Sequence, residues 1–310
     1  VVLPTLGRRH LVAGAAVAVV IALLMLIPVG ATKSVTTDGE VIWEKETEYQ
    51  YARVIQQADG ERVLELNEGQ AVHSIYREDD YLIGGYWDAM LVHSFSGNHH
   101  PQRVVNLGSA AGTVARGLDH YFPDIEIDAV EIDPDVTEVG GELFDFEGEK
   151  ITKHNADARP WLQAQTKKFD SILVDAYRQP YIPFYLTTRE FFDVVRDRLT
   201  DGGTVSVNVG HVPGNDDLEK VLTATLKETF GADRVWRDPV AESNTVLVAT
   251  KGDFDPAQKL READLPEDVA EVANDAADRL EPGLEGGTVY TDDRAPVEWL
   301  IDASLAGVAE

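Results

Sequence analysis

The sequence predicts an α/β fold, a parallel sheet wound on both faces by helices, with a small β unit ahead of the sheet and a membrane-spanning helix ahead of both. Three observations predict it. First, the apolar residues Val104, Val105 and Leu107 run into a turn of small residues, Gly108 to Gly112, and then into a helical pattern over 113–120. About twenty residues further on, the apolar run 125–132 carries Glu131 and Asp133 at its end. Glycine lets the backbone approach a ligand, and an acid at the end of the second strand accepts hydrogen bonds from ribose hydroxyls. The turn lacks a third glycine at dinucleotide spacing, so a nucleoside without a pyrophosphate, such as S-adenosylmethionine, fits better than NAD or FAD. Second, apolar strand patterns alternate with helical ones from Arg103 onward, which argues for a Rossmann-like sheet of the S-adenosylmethionine-transferase type. Third, residues 11–31 carry no charge.

That uncharged stretch, roughly twenty residues at about 1.5 Å each, is long enough to cross about 30 Å of hydrocarbon. A secretory signal is the rival reading, with Gly30 and Ala31 near a cleavage site, but its apolar core normally runs only about 7–15 residues. The expected localisation is therefore the membrane, through one pass. Arg8 and Arg9 in front of the span place the N-terminus in the cytoplasm by the positive-inside rule, an awkward side for a domain that needs a cytoplasmic co-substrate, so the orientation stays open. Val1 in place of an initiator methionine also leaves room for further spans upstream.

Past the span, 32–39 reads as a polar linker. Short runs at 51–57, 62–66 and 71–76, split by Asp59-Gly60 and Glu68-Gly69, read as an antiparallel unit with hairpin turns. Residues 81–95 look helical. Strands follow near 103–107, 125–131, 170–175, 203–209 and 244–249. Thr187 and Thr188 offer a cap before a helix over 189–199, and Gly202-Gly203 closes that unit. The stretch 254–282, acidic and rich in alanine, reads as surface helix. The expected organisation is a span within 1–31, a β unit over 40–80, a nucleoside-binding domain over 81–250 and an acidic C-terminal extension over 251–310.

Asp and Glu outnumber Lys and Arg by 55 to 27, giving a net charge of −28. Such a surface repels nucleic acid. The acids are spread along the whole chain, which suits solubility in concentrated salt and points to a halophile. With no cysteine, disulfides and thiolate chemistry are excluded, and the eight histidines show no paired ligand spacing, so no metal is indicated. The partners expected are a small-molecule substrate and the membrane, with self-association left open.

Several motifs in order resemble the spermidine synthase (polyamine aminopropyltransferase) family over most of residues 44–230. Glu48-Tyr49-Gln50 resembles its opening motif and Leu66-Asn67-Glu68-Gly69-Gln70 its Leu-Asp-Gly-x-x-Gln turn. Tyr86-Trp87-Asp88-Ala89-Met90-Leu91 stands where the family has Tyr-His-Glu-Met-Leu. Gly108 to Gly112 replaces Gly-Gly-Gly-Asp-Gly, and Val130-Glu131-Ile132-Asp133 matches intact. Asp157-Ala158 resembles the pair that holds adenine, and Phe169 to Asp175 the strand that delivers a catalytic Asp. Thr291 to Glu298 resembles the tail of membrane-fused members. The resemblance implies a co-substrate, S-adenosylmethionine or its decarboxylated form, held by Gln50, Gly108, Gly112, Glu131, Asp157 and Ala158. It implies Asp175 as the catalytic base, and Gln70, Tyr86 and Tyr177 at the acceptor.

Bland roles stand beside these. Asp175 suits a turn cap, Asp157 a helix N-cap, Gln50 and Gln70 a β surface, and Tyr177, Tyr181 and Tyr185 packing. Three departures bear on the acceptor. Ala111 replaces the turn's Asp, Trp87 the His, and Arg178 the second Asp of the catalytic loop. A polyamine needs a counter-charge for each desolvated ammonium, so these changes work against it. Asp88 and Glu68 are the nearest acids by sequence that could compensate. The expected function is aminopropyl transfer to an amine. A methyltransferase of unknown acceptor and a catalytically silent membrane-anchored domain are the alternatives.

Overall fold

A computed structural model describes residues 39–67, 71–177 and 181–306. The expected span at 11–31, most of the linker, and Glu68, Gln70 and Arg178 lie outside the described residues. Among the described residues, no helix is long and apolar enough to cross a membrane.

The N-terminal unit is an antiparallel meander of β1 (Gly39–Glu46), β2 (Tyr51–Gln57), β3 (Arg62–Leu66) and β4 (Val72–Tyr76). The Asp59-Gly60 turn forms as its sequence demands: Gly60 takes a positive φ and Asp59 accepts from the Glu61 amide. The first strand lies within the expected β unit but ahead of its first expected run at 51–57; its charged sequence alternates too weakly to announce a strand. One face of the meander, with Ala52, Val54, Leu64 and Leu66, packs against Ala111, Val136, Val139 and Phe144 of the next unit.

The main sheet has eight strands in the order β12-β10-β11-β9-β8-β5-β6-β7. Its centre is β5 (Arg103–Leu107), flanked by β6 (Glu126–Glu131) and β7 (Ile151–Asn155) on one side. On the other lie β8 (Phe169–Val174) and β9 (Leu199–Gly210), followed by β11 (Asn244–Thr250), β10 (Val235–Ala241) and β12 (Glu281–Pro282). Helices α1 (Gly85–His93), α2 (Thr113–Tyr121), α3 (Pro134–Leu143), α4 (Ala158–Ala164), α5 (Arg189–Arg198) and α6 (Asp217–Phe230) connect or cover them. The expectation of a parallel sheet needs correction. Only β7, β6, β5, β8 and β9 run parallel, while β11, β10 and β12 each run against their neighbour. The link from β10 to β11 is only Glu242 and Ser243, far too short for a parallel crossover, so the pair must form a hairpin. The chain winds from β5 outward through β6 and β7, then returns to β8 on β5's other side. The carboxyl ends of β5, β6 and β8 therefore sit at the switch point where such sheets open a crevice.

The stretch 254–282, read as surface helix, also contributes to the core. Its helices α7 (Pro256–Glu262) and α8 (Glu267–Arg279) bury Leu260, Val269, Ala273, Ala276 and Ala277 in one cluster with Met90, Leu91 and Val92 of α1. The chain then adds β12 to the sheet edge and forms α9 (Val297–Ala306), whose Val297 and Ile301 join a cluster with Val174, Ile182, Leu186 and Leu218.

Candidate active site

The ends of β5, β6 and β8 are tied together by backbone bonds. The amides of Gly108 and Ser109 donate to Val130 O at 2.8 and 3.0 Å, and the Asp175 amide donates to Leu107 O at 2.8 Å. Gly108 has φ +86°, and a Cβ there would meet Asp175 O at 2.4 Å and Ala176 Cα at 2.5 Å. The glycine is required because the loop after β8 presses on the turn. Gly112, also expected at the cofactor, has a packing role. It lies outside the cavity wall, and its missing Cβ leaves room for the Phe146 ring, which a side chain would meet at 2.2 Å.

Glu131, at the last position of β6, accepts from the Ala110 amide at 3.0 Å and from the Asp133 amide at 3.0 Å. Its burial outweighs these bonds and pushes its carboxyl up to about 7. Asp133 is fully buried and caps α3 through the Asp135 amide. It also accepts a 2.6 Å bond from the Thr47 hydroxyl, and Gln50 Nε2 lies 3.5 Å from it, which turns the β1–β2 loop toward the crevice. Asp157 caps α4 and accepts from the Tyr185 hydroxyl at 3.0 Å, so its capping role and its place in the cavity wall coexist. Gln50, Gly108, Glu131, Asp157, Ala158 and Asp175 all line one cavity of about 670 Å³, a size that suits a nucleoside with a short side chain. Tyr181, Pro183 and Tyr185 form its opposite wall. Arg159 of α4 pairs with Asp292 at 2.6 Å, drawing the C-terminal segment alongside and bringing Glu298 to the wall.

Asp175 also lines a second cavity of about 530 Å³, as do Tyr177 and His73. Burial pushes the Asp175 carboxyl up to about 7, with the charge of Glu131 adding to the rise and a 2.8 Å bond from Asn208 Nδ2 opposing it. Asn208 Oδ1 in turn accepts from Asn244 Nδ2 at 3.1 Å. Tyr177 donates its hydroxyl proton to Asn208 O at 2.9 Å and accepts from the Gly210 amide at 2.8 Å. Tyr86 and Trp87, stacked with ring centres 4.2 Å apart, form the wall contributed by α1. Burial, reinforced by the charge of Asp175, raises the Tyr86 hydroxyl well above its ordinary value.

Asp88 lines neither cavity. It accepts from the Ile83 and Gly84 amides at 2.8 Å each, holding the start of α1, so it is no substitute anion for an amine. Sequence reading missed Asn208, Asn244 and His73. The signal for Asn208 is visible in retrospect, a polar residue between Val207 and Val209 at the carboxyl end of a buried strand. Among the described residues, no group of His, Asp and Glu is arranged to hold a metal ion.

Residues 86–235 match the spermine/spermidine synthase domain. A probable polyamine aminopropyl transferase of Bifidobacterium longum is 33% identical over 283 residues, which is 85% of this chain and 63% of the relative. Over these stretches the chain is similar to proteins of the spermine/spermidine synthase family. A polyamine aminopropyltransferase of Vibrio vulnificus is 31% identical over 156 residues, 49% of this chain and 51% of its own length. The chain thus spans between half and two thirds of these relatives. A spermidine synthase crystallised with the transition state analogue AdoDATO superposes with a TM-score of 0.61 at 18% identity, covering 86% of this chain and 85% of that one, which establishes the shared fold.

Ala111 stands where the resembled family has the Asp of its glycine turn. It is fully buried against the β meander, with its amide donating to Ser74 Oγ at 3.0 Å, and lines neither cavity. Trp87 does line the second cavity.

Proposed function

We propose that the protein transfers an aminopropyl group from decarboxylated S-adenosylmethionine to an amine. The observation that carries this reading is the position of Asp175, a half-buried carboxylate shared by the walls of two cavities. The larger cavity suits the donor, with Glu131 accepting from ribose hydroxyls and Asp157 and Ala158 flanking the adenine. The smaller suits the acceptor. The amine's lone pair attacks the aminopropyl carbon bonded to sulfur. The carbon–sulfur bond breaks, its electron pair stays on sulfur, and the sulfonium becomes the neutral thioether of methylthioadenosine. The attacking nitrogen, now cationic, gives its proton to Asp175. A carboxyl raised to about 7 is partly ionised at neutral pH and basic enough for that step. The collapse of the sulfonium charge is favoured where water is excluded.

The relatives' names support this reading. The test is product analysis of the full chain with each donor and a panel of amines. Methylthioadenosine should appear from decarboxylated S-adenosylmethionine; S-adenosylhomocysteine formed from S-adenosylmethionine would overturn the proposal in favour of methyl transfer.

We also propose that residues 11–31 tether the enzyme to a membrane. The uncharged length of that stretch supports it. The full chain should sediment with membranes, and a version lacking residues 1–33 should remain in the aqueous fraction. Full-length protein found intact in the aqueous fraction would remove the tether.

A further inference from the structure

Helix α9 runs along the walls of both cavities. The segment ahead of it is fastened by Asp292, which accepts from both terminal nitrogens of Arg159 at 2.8 and 2.6 Å and from the Thr188 hydroxyl at 2.7 Å. Further on, Asp302 of α9 accepts from the Tyr181 hydroxyl at 2.7 Å. Between these two fastenings, Glu298 lines the larger cavity, while Leu300 and Ile301 line the second. Positions three apart on a helix share a face, with Cβ atoms about 5–6 Å apart. Glu298 therefore stands within about one helical turn of the boundary between the cavities. His73, Asp175 and Tyr177, which line both, mark that boundary. The Glu298 charge also reaches the cavity wall at Tyr181: the bond to Asp302 does most to raise that hydroxyl, and Glu298 adds to the rise.

That position selects one part of the donor. With the ribose at Glu131 and the adenine beside Asp157 and Ala158, the carbon under attack lies at Asp175. What is left of the donor near the boundary is the three-carbon arm on sulfur. In decarboxylated S-adenosylmethionine the arm ends in an ammonium alone. In S-adenosylmethionine the same carbon carries a carboxylate as well. A carboxylate in the wall attracts the first ending; with the second it meets a like charge that cancels the gain. We propose that Glu298 sets donor specificity, its carboxylate receiving the ammonium of the aminopropyl arm and disfavouring the carboxylated donor. The inference rests on the aminopropyl-transfer reading above and deepens it.

Calorimetry of the full chain with three nucleosides isolates the arm. Methylthioadenosine has neither the arm nor the sulfonium charge. S-adenosylmethionine has the sulfonium and a zwitterionic ending, and its decarboxylated form has the sulfonium and the lone ammonium. Glu298 is exposed, so Glu298→Gln leaves the fold in place. At low ionic strength the variant should bind decarboxylated S-adenosylmethionine about fivefold more weakly, the upper scale of an ion pair open to water. It should bind methylthioadenosine as before, and S-adenosylmethionine as before or more tightly. Glu298→Lys should widen the same differences. Equal weakening of all three would make Glu298 a structural part of the wall, and equal weakening of the two sulfonium nucleosides would assign it to the sulfur; either overturns the inference. So does unchanged affinity for the decarboxylated donor, including the case where only the KM of the amine rises. These outcomes leave aminopropyl transfer in place. If no amine draws methylthioadenosine from the donor, the transfer reading falls and takes the inference with it.

Discussion

Asn208 and Asp175 face each other across the ends of two adjacent parallel strands, β9 and β8, joined by a 2.8 Å bond from the amide Nδ2 to the carboxylate Oδ1. The bond fixes which oxygen is left for a substrate. It also favours the ionised carboxylate, against the burial that pushes the group toward neutrality.

Replacing Asn208 with Ala should therefore raise the Asp175 pKa further above about 7. The base must be ionised to act, so the rising limb of the pH profile of kcat/KM should move to higher pH. Activity should fall at neutral pH and recover in alkaline buffer. An equal loss at every pH would mean that Asn208 acts only through structure.

Asp175→Asn should lower transfer by about 10²- to 10⁴-fold, the usual contribution of a positioned base. Methylthioadenosine should bind nearly as well as before, because the nucleoside contacts form in the ground state while the base works in the transition state. Calorimetry and steady-state rates together separate the two. Full activity in the variant would place the base elsewhere.

Glu131 should show its role through protons. Ribose hydroxyls donate best to an ionised carboxylate, yet in the free protein burial holds this one protonated up to about 7. Nucleoside affinity should rise as pH passes through that value, with proton release on binding below it. The unliganded fold has the opposite dependence. A carboxyl raised above its unfolded value contributes stability that is fully present below the ordinary carboxylate range and is lost as pH climbs toward about 7. Glu131→Gln should remove the first dependence and reduce the second to the share that Asp175 retains, seen in pH-resolved calorimetry and melting curves. Glu131→Ala should weaken nucleoside binding about tenfold or more, matching about 1.5–3 kcal/mol for a charge-assisted bond.

With 28 more negative than positive charges, the chain should melt at higher temperature as ionic strength rises from low to molar, because screening relieves self-repulsion. Scanning calorimetry over that range checks it. A flat or falling melting temperature would leave the acid excess to another cause, such as a basic partner.

Gly108, Glu131 and Asp175 were legible because each closes an apolar strand, and strand ends in such a sheet converge by topology. Val104 to Leu107 pointed to Gly108, the run before Glu131 to Glu131, and Phe169 to Val174 to Asp175. Strands β7 and β10 escaped notice for a physical reason: β7 is an edge strand of largely polar composition, and β10 carries Asp238 and Pro239 within it. Asn208 and His73 were missed because each sits in an element whose pattern reports burial and says nothing of the cavity beyond. Gly112 was assigned to the ligand because a turn glycine looks the same in sequence whether a cofactor or a phenylalanine ring fills the space beside it.

Asp238 is completely buried, meeting His93 Nε2 of α1 at 3.0 Å and Arg279 Nε of α8 at 2.6 Å. Burial alone would raise its carboxyl; these two partners hold it below its ordinary value. The helix that begins with Tyr86 and Trp87 thus shares one charge account with a helix nearly two hundred positions later in the chain. Descent should respect that link. A lineage that shed everything after β11 would leave the Asp238 carboxylate in the core with His93 as partner but without its guanidinium, unless position 238 changed at the same time, so α1 and α8 are constrained to evolve together.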